Sequence, residues 1–197
     1  MTVPIDAAGT LPTPAEEARF WALIESAWAE VGPQPLVLRR ALIEGDPDGS
    51  GDDNAELYAI EAWLDPLLDR LRRLSVELSA QELADLDRVV ERKLHDIDRE
   101  DIHEVTDGSD DGFLYCRGFI VVLGREYYES VRADPARALI DAECEALCYF
   151  FAHLHNELFG TWPETGSGIS RESCSIPSAG RTGQAETSRS GIRRRCS

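Results

Sequence analysis

The sequence of 197 residues contains one lysine, Lys93, and one methionine. Positive charge rests almost wholly on arginine, and there is little of it: 20 Lys+Arg face 37 Asp+Glu, a formal net charge of −17. A surface this negative repels phosphate unless basic residues gather on one face, so nucleic acid is not an expected partner. Long apolar runs are missing as well. No stretch reaches the ~18 consecutive apolar residues that a bilayer-spanning helix needs, so no membrane partner is expected. The opening MTVPIDAAGTLPTPAEE has neither a basic n-region nor an apolar h-region, so it does not read as a secretory signal. The expected compartment is the cytoplasm. The five cysteines are odd in number and their spacing matches no disulfide framework. Three of them, Cys116, Cys144 and Cys148, sit in apolar runs, where free cysteine behaves as a small hydrophobe. The scarcity of lysine beside arginine points to GC-rich coding and a bacterial source.

What is present suffices for one sizeable core, since 43% of residues are apolar. The charge is uneven. Residues 1–160 hold 14 Lys+Arg and 34 Asp+Glu, a net of −20. Residues 161–197 hold six Arg and three Glu, a net of +3, and are rich in Ser, Gly and Thr. Such a stretch buries too little surface to offset the entropy of ordering. The expected organisation is a flexible N-terminus at 1–12, an acidic helical domain at 13–160 and a disordered tail at 161–197, with Gly160 closing the last helix.

The body reads as all-α. Thr13, Pro14 and Glu16 form a capping box with proline at the first helical position, followed by Phe20, Ile24, Ala27, Trp28 and Val31 at helical spacing. A shorter helix is predicted from Pro35 to near Gly45. A long helical stretch from about Asn54 aligns Leu57, Ile60, Leu64, Leu67, Leu71 and Leu74, with Pro66 either starting a new helix or kinking an existing one. Ser79 and Glu82 form a second capping box. Asp134-Pro135 marks another start, and the last helix carries Cys144, Leu147, Cys148, Phe151, His155 and Leu158. The segment Phe113–Leu123 has a β-branched run, but Ser109, Asp110 and Asp111 before it look like a cap and two first-turn acids, so a buried helix is preferred over a strand. The expected architecture is a single irregular or orthogonal bundle of about six helices, with a mixed α+β domain as the alternative if that segment is a strand.

Three stretches resemble metal sites and fall short. Asp46, Asp48, Ser50, Gly51 and Asp52 occupy positions 1, 3, 5, 6 and 7 of an EF-hand loop, but position 12 is Leu57 and Glu56 falls one residue early. The loop is read as solvated. Glu100 and His103 have the Glu-x-x-His spacing of di-iron bundles, yet the motif occurs once and among five further acids. It is read as a charged helix end facing water. Cys144, Cys148 and His155 share a helix face, but seven residues of helix rise place Cys148 and His155 roughly 10 Å apart, too far to bind one zinc ion. No metal or cofactor is expected.

The most distinctive stretch is Ser109–Glu126, SDDGFLYCRGFIVVLGRE. Gly112, Gly118 and Gly124 recur at intervals of six, which permits close backbone approach. Arg117 is flanked by apolar residues, and Asp110 or Asp111 is near enough in sequence to be its partner. One reading is a buried cap and ion pair fixing two helices. The other is a ligand pocket of Asp110, Asp111, Arg117 and Arg125.

This stretch resembles the signature of an uncharacterised bacterial family, domain of unknown function 4240. The matching residues are Ser109, Asp110, Asp111, Gly112, Phe113, Tyr115, Arg117, Gly118, Gly124 and Arg125, with Asp134-Pro135 after them and Phe20-Trp21 near the N-terminus. The resemblance runs from about Phe20 to Phe159. Cys116 stands where the family usually has an aromatic residue and Phe119 where it has tryptophan, and Gly45–Asp53 looks like an insertion. The resemblance implies a helical domain and brings no activity with it.

Two functions fit these residues. The first is a non-enzymatic interaction or regulatory domain whose acidic body steers a basic protein partner. The second is a small-ligand-binding protein or enzyme built on the Asp/Asp/Arg pocket at 109–126. A third, contact of the arginine-rich tail with nucleic acid or an acidic surface, runs against the charge of the body.

Overall fold

Thr13 opens α1 (Pro14–Val31) with the expected capping box: its hydroxyl accepts the Glu16 N–H at 3.2 Å, and the Glu16 carboxylate accepts the Thr13 N–H at 2.8 Å. Ser79 and Glu82 repeat the arrangement at the start of α4 (Ala80–Asp96). The Ser79 backbone N–H, its hydroxyl and Arg19 together pull the Glu82 carboxyl down to about 2, so this cap persists through the ordinary acid range. Between them lie α2 (Pro33–Glu44), a 3₁₀ helix (Asp53–Trp63) and α3 (Leu64–Ser75). Pro66 falls in the first turn of α3, where its missing N–H has no partner to lose, so it starts a helix and kinks none. After α4 come α5 (Glu100–Thr106), α6 (Asp110–Val122), α7 (Arg125–Ala133) and α8 (Glu145–Phe159). The computed structural model describes residues 9–45, 53–106 and 110–171, and of these the side chains of 53–56 and 110–111 stand outside the description.

No strand is present among the described residues, and Phe113–Leu123 is helical as preferred. β-branching is outweighed there because α6 is buried on nearly every side and must satisfy its own backbone hydrogen bonds. The described residues form eight α-helices where about six are expected. The surplus is α5 and α7, too short to display a clear apolar repeat. Asp134-Pro135 starts only a 3₁₀ turn (Pro135–Arg137), and α8 begins later, after Cys144. The EF-hand-like loop at 46–52 lies outside the described residues. No described helix is long and apolar enough to cross a membrane.

The core is one cluster in which α6 is central. It packs on α8, α4 and α7, while α4 lies along α8 and α1 lies along α3. Trp28 of α1 is fully buried and donates its indole N–H to Val122 O at 2.9 Å. The buried Tyr127 and Tyr128 hydroxyls donate to Arg137 O and Lys93 O, which removes the cost of burying a polar tip.

The folded body does not stop where composition places its end. Gly160 adopts a left-handed conformation after α8, as expected. The described chain then continues as an irregular strap, 161–171, lying against α4 and α8. Thr10 N–H donates to Gly166 O at 2.7 Å, so residues expected in a flexible N-terminus are tied to a segment expected in a disordered tail. Composition misses this because the strap is held by polar contacts and not by apolar burial: its one large aromatic, Trp162, is 61% exposed. Residues 172–197 lie outside the described residues.

Candidate functional site

Two candidate residues of Ser109–Glu126, Arg117 and Arg125, lie in different places. Arg117, in the middle of α6, is only 1% exposed. Its Nη1 donates to Leu94 O at 3.1 Å and lies 3.4 Å from an Asp98 carboxylate oxygen. Its guanidinium carbon sits 4.8 Å from the centroid of the Phe113 ring, and His103 stacks on Phe113 at 4.3 Å. Leu94 O belongs to the last turn of α4, where carbonyls have no partner within the helix and the helix dipole favours a cation. The neighbouring carbonyl of Lys93 receives the Tyr128 hydroxyl. Arg117 thus plugs the C-terminal end of α4.

Spacing within the segment offers Asp110 or Asp111 as the Arg117 partner. The carboxylate described beside it is Asp98, just past the end of α4 and 5% exposed. This corrects the view of Asp98 as one more solvated acid near Glu100. Asp110 and Asp111 open α6, as first-turn acids should, and their side chains lie outside the described residues.

A second, largely covered arginine adjoins the first. Arg171, at the end of the strap, enters a notch between α4 and α8. One terminal nitrogen, Nη2, lies 2.5 Å from Asp87 and 3.1 Å from Glu91; the other, Nη1, donates to Cys148 O at 2.8 Å. Its guanidinium carbon is 5.7 Å from the Tyr149 ring centroid. Ser167 donates to Glu91 at 2.6 Å, and Arg88 donates to Thr165 O at 3.0 Å. Arg117 Nη2 reaches Arg171 O at 3.5 Å, so the two centres are continuous. Residue type gave no warning of this site, because Asp87 and Glu91 look like ordinary surface acids of an amphipathic helix until the strap covers them.

Burial drives the Asp87 carboxyl up to about 6, and the attraction of Arg171 only partly offsets it. The folded protein therefore holds this proton more tightly than the unfolded chain does, and the stability contributed by Asp87 is lost as pH rises from about 4 to about 6. Wild-type protein is expected to lose about 1 kcal/mol of stability between pH 5 and pH 7 that Asp87→Asn does not lose, read from urea unfolding at both pH values. Parallel pH profiles for the two proteins would contradict this.

The three described cysteines do not form a reactive centre. Cys116, Cys144 and Cys148 are buried and free, and burial pushes their thiols up to about 11, 11 and 12. They remain protonated at neutral pH and pack as small apolar groups. His155 Nδ1 donates to Thr161 O at 2.6 Å, at the root of the strap. Among the described residues no group of three or more His, Cys, Asp and Glu side chains is arranged to hold a metal ion.

Arg125 is elsewhere, on the wall of a cleft of about 520 Å³ between α1, α2 and the start of α7. Trp21, Leu36 and Ile43 supply apolar wall; Arg39, Arg40 and Arg125 face Glu25, Glu44 and Glu126. Arg39 is already engaged: it makes two bonds to Glu25 at 2.7 and 3.0 Å, donates Nε to Leu123 O at 2.9 Å and covers Trp28. Gly124 permits this approach. Its φ is +97°, and a Cβ there would come within 2.3 Å of both Arg39 and Glu25. Arg117 does not line this cleft.

Two described pairs of the family motif make contacts between helices. Arg117-Gly118 fastens α6 to α4 and α8, and Gly124-Arg125 turns the chain past α2 into α7. Neither a curated protein nor a solved structure gives a match to the chain. A family model described as "Protein of unknown function (DUF4240)" matches residues 16–155, most of the helical body, and the chain belongs to that family.

Proposed function

We propose that this chain is a non-enzymatic, acidic helical interaction domain that engages a basic protein partner. The observation that supports it is the fate of the positive charge. Arg19, Arg39, Arg88, Lys93, Arg117 and Arg171 are each held against a carboxylate of the same chain. With so many cations engaged internally and a net charge of −17, the remaining carboxylates dominate the outward field. That field accelerates encounter with a basic surface and rejects acidic ones. The test uses the full chain as bait at about 50 mM and about 500 mM salt, where the screening length falls severalfold. A partner of high isoelectric point recovered at low salt and lost at high salt is the expected result. Equal retention at both contradicts the proposal.

A second reading draws on the cleft. Arg40 and Arg125 beside Trp21 suit a small anionic ligand with an apolar part. Arg125 makes no ion pair within the described residues, so Arg125→Ala is expected to shift stability by less than about 0.5 kcal/mol. A thermal shift produced by a small carboxylate or phosphate ligand would be abolished by Arg125→Ala if the cleft is the site. A shift that survives the substitution places the ligand elsewhere.

A further inference from the structure

The notch that receives Arg171 has the chemistry of an arginine receptor. Two carboxylates from successive turns of α4, a main-chain carbonyl of α8 and the face of an aromatic ring surround one guanidinium. A planar fork with several donors fits such a set better than an ammonium does. The occupant arrives on an irregular segment rich in glycine and serine, turned at Gly166 and Gly168, where φ is +67° and +68°, not on a helix of the bundle. The segment that carries it is held by polar contacts, Ser167 to Glu91 and Arg88 to Thr165, while its Trp162 is 61% exposed, so little apolar burial opposes its release.

We infer that the Asp87–Glu91 notch is a binding site for an arginine side chain presented by a non-helical peptide segment, and that the strap 161–171 fills it in cis as an exchangeable occupant. A partner carrying an arginine in a non-helical segment displaces the strap, and its guanidinium reaches the same two carboxylates. The inference rests on the reading of the chain as an interaction domain for a basic partner and names the feature of that partner it recognises. Displacement exposes α4 and the Cys148 turn of α8, which gives the site two states, closed by its own arginine or open to a foreign one.

The test uses the full chain and, as probe, a synthetic peptide with the sequence of residues 161–171, followed by calorimetry. The Arg171→Ala chain, its site vacated, is expected to bind the peptide at least tenfold more tightly than wild type does. Adding Asp87→Asn to that chain, or replacing the peptide arginine by lysine, is expected to weaken binding at least tenfold. Binding indifferent to both changes overturns the inference, as does a helical Arg171→Ala chain that binds no peptide. If Arg171→Ala fails to fold, Arg171→Lys keeps the charge without the fork and carries the same comparison. If neither variant folds, the strap is a fixed part of the core and the inference falls. These outcomes are independent of the salt-dependence test, which can fail while the notch still takes arginine.

Discussion

Arg117→Ala is expected to cost about 3–5 kcal/mol of unfolding free energy, a large fraction of the roughly 5–15 kcal/mol that holds a domain folded. Three losses coincide. Asp98, 5% exposed, is left as a buried carboxylate without its cation. Leu94 O loses its donor at the end of α4. A cavity opens beside Phe113, where the guanidinium had lain 4.8 Å from the ring centre. The first term is the largest, because an uncompensated buried charge costs more than a missing hydrogen bond. The double variant Arg117→Met with Asp98→Asn removes the charge and refills the volume. It is expected to recover at least half of the loss in urea unfolding. A single-variant cost below about 1 kcal/mol would show that Arg117 does not join these helices. It would return Arg117 to the ligand-pocket reading.

Gly118→Ala is expected to cost about 2–3 kcal/mol even though alanine is the better helix former by about 1 kcal/mol. A Cβ at this position would lie 2.4 Å from Cys144 O and 2.7 Å from Cys148 Sγ. The sulfur can be removed by mutation, but the carbonyl belongs to the main chain where α8 begins. Cys148→Ala in the Gly118→Ala background is therefore expected to rescue little. α6 and α8 would have to separate, and with them the contact that carries Cys148 O to Arg171. A neutral or stabilising Gly118→Ala, read by thermal unfolding with circular dichroism, would mean that the two helices are not in close approach there.

Much of the fold was legible residue by residue. Thr13 with Glu16 and Ser79 with Glu82 announce helix starts because capping is a contact between residues three apart. Gly160 announces a helix end for the same local reason. The helical state of Phe113–Leu123 was readable from the acids before it, against its β-branched composition. The number of helices was not, since α5 and α7 are too short to establish a period. Of the site, Arg117 could be picked out as a charge in an apolar run. The carboxylate described beside it, Asp98, could not, because it belongs to another helix end and enters only when α6 crosses α4.

The strap carries the same lesson further. Low apolar content argued for disorder beyond Gly160, and apolar content is the correct guide when order depends on burial. Here order depends on Arg171, Ser167 and Thr165 meeting Asp87, Glu91 and Arg88, which are remote in sequence.

Charge, helix caps, the all-α class and family membership were settled by the chain alone, since each depends on composition or on neighbours within a turn. Which carboxylate faces which arginine, that Arg117 and Arg125 serve different places, and where the folded body ends were decided by tertiary packing, because these contacts join residues that only the closed bundle brings within a few ångströms.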